Sequence, residues 1–222
     1  MKKYELTSET KVINGLELHR IKALKFFRNI KKGELGGWIE SEKKLSQDGN
    51  AWVYDNAVVY ENATVDENAT VSGNAVVHRN AVVSGNAVVR RNATVGDNAS
   101  VYGNAWVGGH ATVGDNATVY ENAMVCDNAT VSDNAKVSGN AWVGGDATVR
   151  GKEDYIVFKN WWSSGRYFTW TRSNNKWKVG CFYGSGEELI AKAYKDSKKS
   201  GREYERVVNY VESILKEENN NK

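Results

Sequence analysis

The chain has 222 residues, 26% of them charged, with a formal net charge of only +3, which excludes an intrinsically disordered chain and a strongly basic one. No run approaches 18 apolar residues, so no membrane span is expected, and Met1-Lys2-Lys3-Tyr4-Glu5-Leu6 lacks the apolar stretch of a secretory signal. Two cysteines, Cys126 and Cys181, fit a reducing compartment better than a disulfide scaffold, so a cytoplasmic protein is the expectation.

Charge divides the chain into three. Residues 1–47 carry 11 Lys and Arg against 6 Asp and Glu, residues 48–151 carry 5 against 11, and residues 152–222 carry 14 against 10. In the first segment the apolar residues fall in short, broken patterns. Asn14-Gly15 is a strong turn signal between Lys11-Val12-Ile13 and Leu16-Glu17-Leu18-His19. Leu35-Gly36-Gly37-Trp38-Ile39-Glu40 leads into the second segment, and Trp38 reads as core rather than as a ligand contact.

From Asp48 the chain repeats every six residues, without insertion or deletion, through seventeen hexads to Val149. Ala fills the fourth place and Val the sixth throughout, and Asn fills the third except at His110 and Asp146. A repeat this strict precedes every other argument about the fold. Ala and Val lie two apart, so in extended backbone they share one face and the residue between them takes the other. Each hexad is then a short strand and a corner, with Ala and Val inside. Asn beside Gly, Asp or Glu suits a corner that needs local hydrogen bonds or left-handed backbone. Counting back by six from Ala51 reaches Leu45 and Ile39, which places the start of the inward register before the clean repeat. Residues 1–47 thus read as a cap, which a solenoid needs to cover its end coil.

The pattern, as in Val59-Tyr60-Glu61-Asn62-Ala63, closely resembles the hexapeptide-repeat family. That resemblance implies a left-handed parallel β-helix with three hexads per 18-residue coil, here a rod about 27 Å long at roughly 4.8 Å per stacked strand. The outward residues then sort into three columns. The first holds Trp52, Thr70, Val88, Trp106, Met124 and Trp142, an apolar wall of a kind seldom left exposed. Either another subunit or the C-terminal segment is expected to cover it. Trp52, Val88, Trp106, Met124 and Trp142 are the candidate binding surface.

In residues 152–222, Tyr155-Ile156-Val157-Phe158, Arg166–Thr171 and Lys176-Trp177-Lys178-Val179 read as strands. Two helices follow, with capping boxes at Ser185/Glu188 and Ser200/Glu203. The expectation is a small β-β-β-α-α domain, so that the whole is mainly β. Trp161, Trp162, Trp170 and Trp177 are interleaved with Arg166 and Arg172, a pattern that can hold single-stranded nucleic acid by stacking beside positive charge.

Many hexapeptide-repeat proteins are acyltransferases that use an acyl coenzyme A and work as trimers, so the resemblance implies a histidine general base. His78 and His110 are the weak catalytic candidates, beside His19 in the cap. No loop leaves the coils to build an acceptor pocket. The whole arrangement, with its Gly-Gly-Trp-Ile-Glu entry and Trp-rich tail, also resembles uncharacterised proteins of gut Firmicutes and their phages. The reading is therefore a noncatalytic binding or structural protein, a phage accessory protein engaging a host macromolecule or small signal. An acyl-coenzyme-A-dependent acyltransferase and nucleic-acid binding by the C-terminal domain are the alternatives. Self-association as a dimer or trimer, or a host protein, is the expected partnership, with nucleic acid or a small ligand as further options. No cofactor and no metal are expected.

Overall fold

A computed structural model describes residues 2–220 of the chain. Seventeen two-residue strands, from Trp52–Val53 to Thr148–Val149, stack in parallel into three sheets. Val88 pairs with Thr70 below and Trp106 above, so the coil has 18 residues. The three sheets are the three expected columns. All the inward Ala and Val side chains are buried and form one continuous core.

The corners follow one rule. The second residue of every hexad, from Gly49 to Gly145, has a positive φ. The left-handed position is thus the residue before Asn, and Asn itself does something else. Its side chain joins the coils: Nδ2 of Asn62 donates to Oδ1 of Asn80, Asn80 to Asn98, and Asn98 to Asn116, at 3.0–3.1 Å. A second ladder runs from Asn50 through Asn68 and Asn86 to Asn104 and Asn122.

The cap is a hairpin, β1 (Tyr4–Ile13) and β2 (Leu16–Ala23), turning at Asn14-Gly15 with φ of 51° and 80°. β3 (Leu35–Ile39) pairs antiparallel with β2 and parallel with Val58–Val59, which converts the hairpin into the first rung of the second sheet. Ile39 and Leu45 are buried and pair with Val59 and Val65, as the backward count predicts. Trp38 packs with Leu18, Val58 and Tyr60 inside the cap. Lys3 is fully buried, its Nζ donating to the carbonyls of Asp48 at 3.1 Å and Ala51 at 2.9 Å. Burial lowers its pKa to about 8.

The C-terminal domain has four strands where the sequence suggests three. Tyr155–Lys159, Tyr167–Thr171, Lys176–Val179 and Phe182–Gly184 form an antiparallel meander. The fourth is only three residues long and runs directly into a helix cap, which hides it from periodicity. α1 (Gly186–Asp196) starts in the Ser185/Glu188 capping box. α2 (Lys198–Asn220) begins earlier than the Ser200/Glu203 box would have it. Ser197 receives the Ser200 amide on its hydroxyl, while Glu203 pairs with Arg206. Together these elements make a mainly β parallel solenoid with a small C-terminal α+β domain.

Candidate functional site

The first wall is covered from both ends. Trp52, expected on the binding surface, is fully buried instead, with Tyr4 and Phe27 of the cap edge-on against its ring. A cover from the cap is invisible to the hexad count, because neither residue belongs to the repeat. At the other end Lys178 stands over the Trp142 ring at 4.3 Å, and the Trp142 indole N–H donates to the Cys126 sulfur at 2.9 Å. Burial pushes the Cys126 thiol up to about 11, so it stays protonated at neutral pH. Between the ends Val88, Trp106 and Met124 are half-buried, with the Arg90 guanidinium 4.5 Å over Trp106.

The C-terminal candidates separate. Trp162, Trp170 and Trp177 are buried in the domain core with Phe168, Leu189 and Tyr204, so they are not a stacking surface. Alternation along the strands and docking of both helices consume them. Trp161 is 72% exposed. Arg172 makes a two-pronged contact with Glu218 at 2.6 and 3.1 Å, while Arg166 stays exposed.

The three histidines have different surroundings. His19 Nδ1 faces the Thr7 carbonyl at 3.3 Å in the cap. His110 stands in an asparagine ladder, its Nε2 facing Asn92 Nδ2 at 3.4 Å, so it does the work of the Asn it replaces. His78 differs. Its ring stacks on Tyr60 at 5.6 Å, and its Nδ1 faces Glu61 Oε2 at 3.7 Å. Glu61 is itself oriented, because the same oxygen accepts the Arg79 amide at 2.7 Å. The stack alone is unremarkable, since Tyr102 and Tyr120 make the same one two coils higher at another corner. The next residue up the His78 corner is what sets it apart. A Cβ at Gly96 would stand 2.6 Å from His78 Nε2, so the ring lies against the bare Gly96 backbone and only glycine fits beneath that nitrogen. Gly114 continues the bare edge one coil further on.

Glu61, Tyr60 and Gly96 were not singled out from the sequence. The 18-residue phase holds the signal, because it sets residues 60, 78 and 96 in one column with Glu61 beside them.

No family model matches this chain. The fold is nonetheless plain. The chain is a hexapeptide-repeat-like solenoid. It is distantly similar to the "Uncharacterized acetyltransferase YdcK" of Escherichia coli (strain K12), 36% identical over 63 residues, which take in 25% of this chain and 19% of that protein. The chain thus matches less than a fifth of its relative's length. That likeness corrects the expectation of a protein without catalysis, because the named relative is an acetyltransferase, and of the functions weighed from the sequence it favours acyl transfer. Among the described residues no helix is long and apolar enough to cross a membrane.

Proposed function

We propose that the chain is an acyltransferase of the hexapeptide-repeat kind, moving an acyl group from a coenzyme A thioester to a hydroxyl or an amine with His78 as general base. The observation that carries the reading is the placing of His78 between an oriented carboxylate, 3.7 Å from Nδ1, and a glycine that sets no side chain against Nε2. A base needs both: a partner that sets its tautomer and an open nitrogen that reaches the acceptor proton. The likeness to a named acetyltransferase supports the same reading.

In this reading neutral His78 carries its proton on Nδ1, toward Glu61. Nε2 takes the proton of the acceptor hydroxyl or amine as that atom attacks the thioester carbonyl carbon. The carbon–sulfur bond then breaks, and the coenzyme A sulfur leaves with the proton that His78 returns. The products are an ester or amide and free coenzyme A. Glu61 is a positioning residue that favours the transient imidazolium.

The test is release of free thiol from acetyl coenzyme A across a panel of amine and hydroxyl acceptors. With a productive acceptor, His78→Gln is expected to lower the rate at least about 100-fold. Gly96→Ala is expected to lower it as well, because the added methyl would stand 2.6 Å from Nε2 and push the His78 ring off its place beside Tyr60 and Glu61. No thiol release with any acceptor, or a His78→Gln protein as active as wild type, would sink the proposal.

A further inference from the structure

The C-terminal domain holds a cavity of about 220 Å³ that the acyl-transfer reading does not use. Four pieces of chain enclose it: the loop 160–166, the tip of the hairpin at 179–182, the end of α1 and the start of α2. Val179, Phe182 and Leu189 give it an apolar lining. Its polar groups come from Asn160, Arg166, Lys192, Asp196, Ser200 and Tyr204.

Three of these polar residues are at least nine-tenths buried: Asn160 is 3% exposed, Tyr204 7% and Ser200 9%. The Asn160 amide has a fixed orientation, because Oδ1 accepts both the amide and the hydroxyl of Ser163, at 2.9 and 3.0 Å. Its Nδ2 therefore donates to the Tyr204 hydroxyl oxygen at 3.0 Å. That leaves the Tyr204 proton to be given elsewhere, and among the described residues no acceptor for it is within hydrogen-bonding distance. Tyr204 cannot swing away to find one, since its ring is wedged edge-on against Trp162 at 5.0 Å and Phe168 at 5.2 Å. A buried donor without an acceptor costs stability unless something else receives it.

The charges at the mouth point to what does. Arg166 and Lys192 line the cavity without an ion-pair partner among the described residues, and so does Asp196. Burial raises the Tyr204 pKa, and Asp196 pushes it further up while Arg166 draws it down, so both charges act on the same hydroxyl. A ligand suited to this set has a negative group for the Tyr204 proton and Arg166, a positive group for Asp196, and an apolar body. A cavity below the roughly 300 Å³ where drug-sized ligands begin limits it to a small molecule.

We infer that this cavity binds a single free α-amino acid with an apolar side chain. The carboxylate accepts from the Tyr204 hydroxyl and faces Arg166, with Lys192 adding positive charge. The ammonium faces Asp196, and the side chain lies on Phe182, Leu189 and Val179. This inference stands apart from acyl transfer, because none of its residues belongs to the His78 corner.

Calorimetric titration of the full chain with L-leucine, 4-methylpentanoate and 3-methylbutylamine tests it. These probes share the apolar body and carry both charges, only the negative or only the positive. L-leucine is expected to bind saturably and each of the others at least about tenfold more weakly, a difference of roughly 1.4 kcal/mol. Tyr204→Phe keeps the ring and its packing, so it should hold the fold and weaken leucine at least about tenfold. Asp196→Asn should remove the preference for leucine over 4-methylpentanoate. No saturation with leucine, isoleucine or phenylalanine up to about 10 mM would overturn the inference. Leucine binding untouched by both substitutions would overturn it as well. His78→Gln is expected to leave leucine binding unchanged, so failure here and failure of the acyl-transfer reading are separate results.

Discussion

A residue held at positive φ pays a steric cost unless it is glycine, and this solenoid holds one at each of its seventeen corners. Ten of them are not glycine, and eight of those ten are Asp or Glu. The carboxylate is the compensation. Asp55, Glu61, Asp97, Asp115, Glu121 and Asp127 each accept the backbone amide 18 residues further on, at 2.6–3.3 Å. At Asp115 (φ 53°) the partner is the Asp133 amide at 3.0 Å. Asp115→Val is expected to cost about 2–3 kcal/mol, since it loses that acceptor and forces a β-branched residue into left-handed backbone. Asp115→Gly should cost only about 1 kcal/mol, because it loses the acceptor and relieves the backbone. Asp115→Asn should fall near wild type. Urea unfolding of the three variants measures the order, and Val no worse than Gly would refute the backbone argument.

At the scale of elements, the last coil has no coil above it, and its outward amides need other partners. Hydroxyls of the C-terminal domain supply them. The Trp142 amide donates to Thr169 Oγ1 and the Thr148 amide to Ser173 Oγ, both at 2.8 Å, while the Tyr155 hydroxyl donates to the Lys136 carbonyl at 2.9 Å. Thr169→Val with Ser173→Ala removes both acceptors, costing about 1–3 kcal/mol at the part-buried Trp142 amide and less at the exposed Thr148 amide, which water can reach. Hydrogen exchange should quicken at Trp142 and Thr148 and stay unchanged at Trp106, whose amide is bonded to the Ala123 carbonyl within the rod. The rod was legible in the sequence because a side-chain period of two and a coil period of 18 fully determine which Ala, Val and Trp meet. The same phase could have exposed Glu61 and Gly96 beside His78. What covers Trp52, and which tail tryptophans are core, depends on contacts between segments that share no period. Phe27 reaches Trp52 from outside the repeat, and Tyr204 reaches Asn160 across 44 residues. The buried Tyr204 hydroxyl, on which the inferred ligand site rests, had no sequence signal beyond its place on the apolar face of α2.

For the whole molecule, a solenoid is held by register more than by length. Each coil contacts only its neighbours, so stability is close to a sum of like increments. Removing Gly114–Val131 deletes one complete coil of 18 residues. Ser132 then follows Val113 in phase, and every remaining Ala and Val still points inward. Removing Asn116 alone deletes one residue and turns the following hexads out of phase, because a shift of one place exchanges the two faces of a strand. The shorter deletion is therefore the more damaging. The protein without the coil should stay folded with a lower melting temperature, and it keeps Glu61, His78 and Gly96, which all precede the cut. The protein without Asn116 should aggregate, or lose the far-ultraviolet signal of everything beyond it. Circular dichroism and size-exclusion chromatography compare the two directly. If the single deletion proved the milder, the inward Ala and Val register would not be what holds the rod together.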